Sequence, residues 1–372
     1  MVQDTAAIRL LGLIALAGEF PTAALGKLIG EGRYKEKIIT ELKAKKLIKG
    51  YSRDGIRAYR LTRGGKRQLL KENPTRYTPL LRNAAQSRTD PPHRLRQHQM
   101  CEVQVVMQKA GIRIFPDEKP SIFTELPPSK ETRAELLLPA YYTSLEVKGR
   151  GLEGTKIKGA RFCGVLLTEC NIYLVYNSGD SLMRWDRKSE IKSRAMITHL
   201  LCRERLPERY AQANAQGILL GADMETANHI LNAPTNKNAR VFQLDQTFEH
   251  FHFIPWNAQG DLLLQLLCRE DIGTQLKSLL SEGLRPADSG APIENDGFEE
   301  DGSPVLFSFD GDLQRLSKFV NMLQLQERQG VVYCFDFQTA AFGHYCGACA
   351  RMQSISLEKF KQRFLPPEGS CL

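Results

Sequence analysis

Apolar positions recur at helical spacing from the start of the chain. Ala7, Leu10, Leu11, Ile14 and Ala17 share one face over residues 5–17. Pro21 predicts the first turn of a second, short helix, PTAALGKLI. After the turn GEGR the helical period returns from Tyr34 to Leu47. Ile38, Ile39, Leu42 and Leu47 point inward there, while Lys35, Lys37, Lys43, Lys45 and Lys46 stay outside. The pattern then shortens: LIKGYS and AYRLT read as strands joined by RDGI, an Asp-Gly hairpin signal. LTRGGKRQLL predicts a further helix. Residues 74–92, rich in Pro, Asn, Ser, Thr and Arg without a sustained period, predict a basic linker.

A helix follows from Leu95 to Ala110, with Met100, Val103, Val106 and Met107 as its apolar positions and Glu102 among them. Short apolar runs come next. GIRIF, AELLLP and YYTSLEVKG read as strands, and ARFCGVLLTECNIYLVYN as two strands split by TECN. SEIKSRAMITHLLCRER closes this part as a helix. From Gln216 the alternation restarts with GILLGAD, METANHILNA, ARVFQLD, HFHFIPW, AQGDLLLQLLCRE and QGVVYCFDFQ, read as strand, helix, strand, strand, helix and strand. Residues 281–312, rich in glycine and acids, predict a mobile loop. The expected class is α+β. A chain of 372 residues is too long for one ordinary core, and the expected division is 1–73, a linker at 74–92, 93–210, and a C-terminal α/β region at 211–372 of unassigned role.

Composition narrows the setting. The most apolar early stretch, IRLLGLIALAG, is short, contains Arg9 and lacks a basic leader, so neither a signal peptide nor a membrane span is expected. Nine cysteines without a tight framework fit a reducing cytoplasm. Charge says more. Residues 33–71 hold fourteen Lys or Arg against three acids, so this stretch exceeds the +9 of the whole chain. A basic block on a folded segment is the footprint of a polyanion partner.

Three helices and a hairpin ending in LTRGGKRQLL resemble the winged helix-turn-helix family. The resemblance implies a third helix in the major groove of double-stranded DNA and a wing carrying Arg53 and Arg57 near the backbone. Lys35, Lys37, Lys43, Lys45 and Lys46 are the accompanying DNA-binding candidates.

Farther along, Glu135 falls on one expected strand and Glu146 and Lys148 on the next, where a period of two puts the last pair on one face. Two carboxylates suit a hard divalent cation, Mg²⁺ or Mn²⁺, and a lysine nearby can assist the attacking water or the charged transition state. The bland reading is a cross-strand Glu–Lys pair without chemistry. The set resembles the PD-(D/E)xK nuclease superfamily, which implies a restriction-endonuclease-like α/β core, catalytic roles for Glu135, Glu146 and Lys148, and metal ligation by Glu135, Glu146 and Glu102. The first acid here is Glu rather than Asp and follows Ala134 rather than Pro. Together with HRLRQHQMCEVQVVM and GARFCGVLL, the layout resembles the replication-relaxation family of MOB-C-type relaxases from plasmids and integrative elements. That implies a metal-dependent endonuclease nicking origin DNA, with transfer or replication proteins as partners. The alternative is a non-catalytic winged-helix DNA-binding regulator or replication accessory protein with a degenerate nuclease fold, its other domains serving dimerisation or partner contacts.

Two further patterns invite a metal. His250-Phe251-His252 matches the alternation of rolling-circle relaxases, but reads first as a partly buried polar stripe. Cys346 and Cys349 have C-x-x-C spacing beside His344, without the second pair that a structural zinc site needs.

Overall fold

Helix α1 (Thr5–Ala17) forms where the apolar stripe predicts it and buries Leu10, Leu11, Leu13 and Ile14. A two-residue strand β1 (Phe20–Pro21), a 3-10 turn and α2 (Leu25–Ile29) follow. Helix α3 (Arg33–Ala44) buries Ile38, Ile39 and Leu42. It ends where Lys46 adopts a left-handed conformation (φ 52°), while the amide of Leu47 donates to the carbonyl of Leu42 at 2.9 Å. Strands β2 (Ile48–Arg53) and β3 (Ile56–Leu61) pair antiparallel, and β1 adds to β3 to give the order β1-β3-β2. Asp54 and Gly55 both have positive φ, as the two-residue turn requires.

The LTRGG stretch has a double structural reason. Thr62 accepts from the amide of Gly65 at 3.1 Å and caps α4 (Arg63–Glu72), while its hydroxyl donates to the carbonyl of Leu47 at 3.2 Å. Gly65 is pressed so close to Leu47 that a Cβ there would lie 2.2 Å from the Leu47 carbonyl oxygen.

The expected linker is helical in its first half. Asn73 accepts from the amide of Arg76 at 2.9 Å and Pro74 takes the first helical position, which starts α5 (Pro74–Asn83) against α1 and α4. Helix α6 (Pro91–Lys109) starts with Asp90 as its cap and packs on α1, α2, β1 and β3.

The structure is a computed structural model that describes residues 5–30, 32–83, 90–124, 127–134, 136, 138–149, 160–179, 183–233, 241–287 and 294–365. The chain divides into two units, Met1–Thr155 with Cys163–Leu166, and Lys156–Phe162 with Leu167–Leu372. At the level of class the expectation holds: helices and sheets are mixed. Among the described residues no helix is long and apolar enough to cross a membrane.

The later part of the first unit departs from the expected strands. GIRIF makes only a single parallel bridge, Arg113 to Ala140. After α7 (Lys130–Ala134) the described residues of AELLLP beyond Ala134 are not strand. YYTSLEVKG is strand only through Thr143, in β4 (Ala140–Thr143), and continues as helix α8 (Ser144–Gly149). Strand β5 (Gly164–Leu167) neighbours β4.

In the second unit β6 (Ile172–Gly179), β7 (Gln216–Gly221) and β8 (Phe251–Pro255) run parallel. Their connections are α9 (Arg187–His199), a π-helical continuation Leu200–Arg205, α10 (Pro207–Tyr210) and α11 (Met224–Leu231). ARVFQLD contributes only a bridge from Val241 to Arg184 among its described residues. Helices α12 (Ala258–Cys268) and α13 (Glu270–Leu280) precede a second sheet of β9 (Gly297–Phe298), β10 (Pro304–Phe307), β11 (Gly330–Phe335) and β12 (Ala350–Ile355), in the order β12-β11-β10-β9. β9 and β10 lie inside the stretch expected as a loop. α14 (Leu313–Leu325) and α15 (Thr339–Cys346) connect the parallel strands β10, β11 and β12, and α16 (Leu357–Phe364) follows.

Candidate nucleic-acid interface

The candidate cations divide between α3 with the two residues just after it and the hairpin. Lys37, Lys43, Lys45 and Lys46 are exposed and Lys35 is half-exposed. Lys43, Lys45 and Lys46 crowd the C-terminal end of α3, where the helix dipole favours positive charge. Lys43 also lies over the Tyr59 ring, 5.3 Å from its centroid. Arg53 and Arg57 are exposed on the two strands beside the turn. Lys45 pairs with Glu41 at 3.9 Å and Arg53 with Asp54 at 3.5 Å. Pairs between exposed side chains are weak enough to exchange for phosphate.

Arg60, counted in the same basic block, has a different role. It donates to Glu19 at 2.8 Å, as Arg94 does at 2.9 Å, and His98 completes the set at 2.9 Å. Glu19 and Arg94 are wholly buried. Burial pushes the Glu19 carboxyl up, but the hydrogen bonds from His98, Arg94 and Arg60 outweigh it and hold the pKa at about 2. Periodicity gives no hint of this hub, because a lone Glu and two Arg in helical and strand patterns read as surface.

The Glu146 region is built differently from the expected strand pair. Thr143-x-x-Glu146 is a capping box: the Glu146 carboxylate accepts from the amide of Thr143 at 2.7 Å and from its hydroxyl at 2.9 Å, and the Thr143 hydroxyl accepts from the amide of Glu146 at 3.3 Å. On a helix, positions 146 and 148 are two residues apart and do not share a face. Glu135 lies outside the described residues, as does the side chain of Lys148. The lysine beside Glu146 is Lys119, whose ammonium is 3.0 Å from the carboxylate, buried, and set over the Tyr142 ring at 4.4 Å. Burial lowers the Lys119 pKa, against the pull of Glu146. Lys119 sits in a loop stretch with no period, so nothing in the pattern marks it. Glu102 is half-buried on α6, whose Met100 touches the Ser144 hydroxyl at 3.9 Å. Among the described residues no three His, Cys, Asp or Glu side chains are placed to hold a metal ion.

In the second unit, His250 and His252 have stacked rings 6.5 Å apart. His250 Nδ1 meets the buried Asp312 carboxylate at 2.7 Å, and this hydrogen bond raises its pKa. Asp312 is pushed up by burial, yet His250, the charge of His252 and the amide of Phe251 bring it to about 2. His252 reaches Gln216 at 3.1 Å and the Asp310 carbonyl at 3.2 Å. Both rings line a cavity of about 580 Å³ with Tyr173, Asp310 and Arg315. The polar-stripe expectation fits this arrangement. Cys346 is buried, which pushes its thiol up to about 12, and His344 is engaged with Asn228 at 3.0 Å.

No family model, curated protein or solved structure matches this chain.

Proposed function

We propose that the protein binds double-stranded DNA through residues 5–72, read as a winged helix-turn-helix, with α3 in the major groove and the β2–β3 hairpin as the wing. The observation that carries this reading is the concentration of exposed cations on and just after α3 and beside the hairpin turn, with Lys45 and Arg53 held by weak surface pairs to Glu41 and Asp54. Of the two expectations, the non-catalytic DNA-binding protein is favoured over the relaxase-like endonuclease by one feature. The Glu146 carboxylate is taken up by Thr143 and Lys119, so a role as ligand for Mg²⁺ or Mn²⁺ would require it to leave a helix cap.

The test uses the full chain and a labelled duplex. Binding is expected to weaken steeply with salt, and Lys37→Ala with Arg57→Ala is expected to flatten the slope of log K against log salt by ~1.8, at ~0.9 per phosphate contact. Salt-independent binding, or none, refutes the reading. Supercoiled plasmid with Mg²⁺ or Mn²⁺ is expected to stay intact; nicking that disappears in Glu146→Gln would reinstate the endonuclease.

A further inference from the structure

Arg94, in the first turn of α6, is buried without exposed surface, although α6 lies beyond the helices and hairpin read as the DNA-binding element. Its Nε donates to Glu19 at 2.9 Å, its Nη1 to the carbonyl of Arg53 at 3.0 Å and its Nη2 to the carbonyl of Ile56 at 3.2 Å. Arg53 and Ile56 are the last paired residues of the hairpin, flanking Asp54 and Gly55. The Arg94 guanidinium also lies over the Tyr51 ring at 4.6 Å, and that of Arg60 lies over the same ring at 3.5 Å. One planar guanidinium thus grips both edges of the turn, which the point charge of a lysine cannot do. β1 pairs only with Ala58 and Tyr59 of β3, so the turn end of the hairpin is two-stranded and by itself marginally stable, and ordering it on binding would subtract from affinity.

We infer that Arg94 is a positioning residue for DNA binding: it fixes the direction in which the turn presents Arg53 and Arg57 to the phosphate backbone, and makes α6 part of the DNA-binding module. This rests on the DNA-binding reading above. The experiment compares the full-length wild type, Arg94→Lys, the double variant Arg53→Ala/Arg57→Ala, and all three changes combined, binding one labelled duplex across a salt series. The double variant is expected to flatten the salt slope by ~1.8. Arg94→Lys is expected to reproduce most of that loss and to add little when combined with it. A merely structural role would not move the slope. An Arg94→Lys protein with wild-type slope and affinity, or an effect that adds in full to the double variant, overturns the inference while leaving DNA binding intact. A wild type that binds no duplex overturns both. Should Arg94→Lys not fold, amide exchange in the wild type decides: protection of residues 48–61 equal to that of α6 supports the clamp, and a hairpin that exchanges orders of magnitude faster overturns it.

Discussion

Replacing Glu19 by glutamine keeps the shape of the side chain on which Arg60, Arg94 and His98 converge and removes its charge. The drop in the Glu19 pKa from 4.5 to about 2 corresponds to about 3 kcal/mol of folding stability at neutral pH, at ~1.4 kcal/mol per pKa unit. The cost of stranding the buried Arg94 guanidinium without its anion falls in the same range, about 3–5 kcal/mol. The sign follows from the depressed folded pKa: the contribution is complete above 4.5 and is lost as pH falls through about 2. Both tryptophans, Trp185 and Trp256, belong to the second unit, so indole fluorescence does not report this change. Hydrogen exchange of α1 and α6 in a urea series does. The wild type is expected to hold its stability from pH 7 to about 5 and lose it below 4.5. Glu19→Gln is expected to be weaker by about 3 kcal/mol at pH 7, with that part of the acid dependence gone. A variant within about 0.5 kcal/mol of the wild type at pH 7, or one that keeps the wild-type acid slope, would refute the reasoning.

Gly65→Ala is expected to destabilise the first unit by about 1–3 kcal/mol, because backbone must yield to the new Cβ at Leu47; an unchanged urea midpoint for α4 exchange would contradict this. Lys46→Gly relieves a left-handed φ of 52° and is expected to stabilise by up to about 1 kcal/mol, read from the same exchange series, where a loss of stability would count against the strain. In an NMR pH titration the His250 ring is expected to titrate above 6.5 and to move down in Asp312→Asn. Its contribution to stability is full below 6.5 and fades as pH rises through the raised value.

Elements whose signal is local were legible in the sequence. The Asp54-Gly55 turn follows from the one backbone geometry those residues favour, α1 and α3 follow from their apolar stripes, and α4 follows from the LTRGG start that Thr62 caps. Strands β6, β7, β8 and β11 show as apolar runs because both their faces are covered. The failures have equally local causes. YYTSLEVKG looks like a strand by composition, yet two of its side chains, Thr143 and Glu146, cap the start of a helix by bonding each other's amides, and that hydrogen-bond chemistry outweighed β propensity. The α5 segment looked like a linker because its two prolines obscured a period that Asn73 initiates. The hub at Glu19 and the Lys119–Glu146 pair are contacts between residues far apart in sequence, which no window of neighbouring residues records.

The Glu19–Arg94 contact also bears on where this chain can be cut. Composition suggests a self-sufficient domain ending near residue 73, but a fragment of that length would keep Glu19 and Arg60 and discard Arg94 and His98. A carboxylate placed for three partners would then face one, beneath a helix-sized apolar surface on α1, α2 and β3 newly open to water. A piece with these charges matched runs past Lys109 to Glu118, because Arg76 of α5 pairs with Asp117 at 2.8 Å and Glu118 at 2.9 Å, so the natural unit of engineering in the N-terminal half is more than half again as long as its sequence signature.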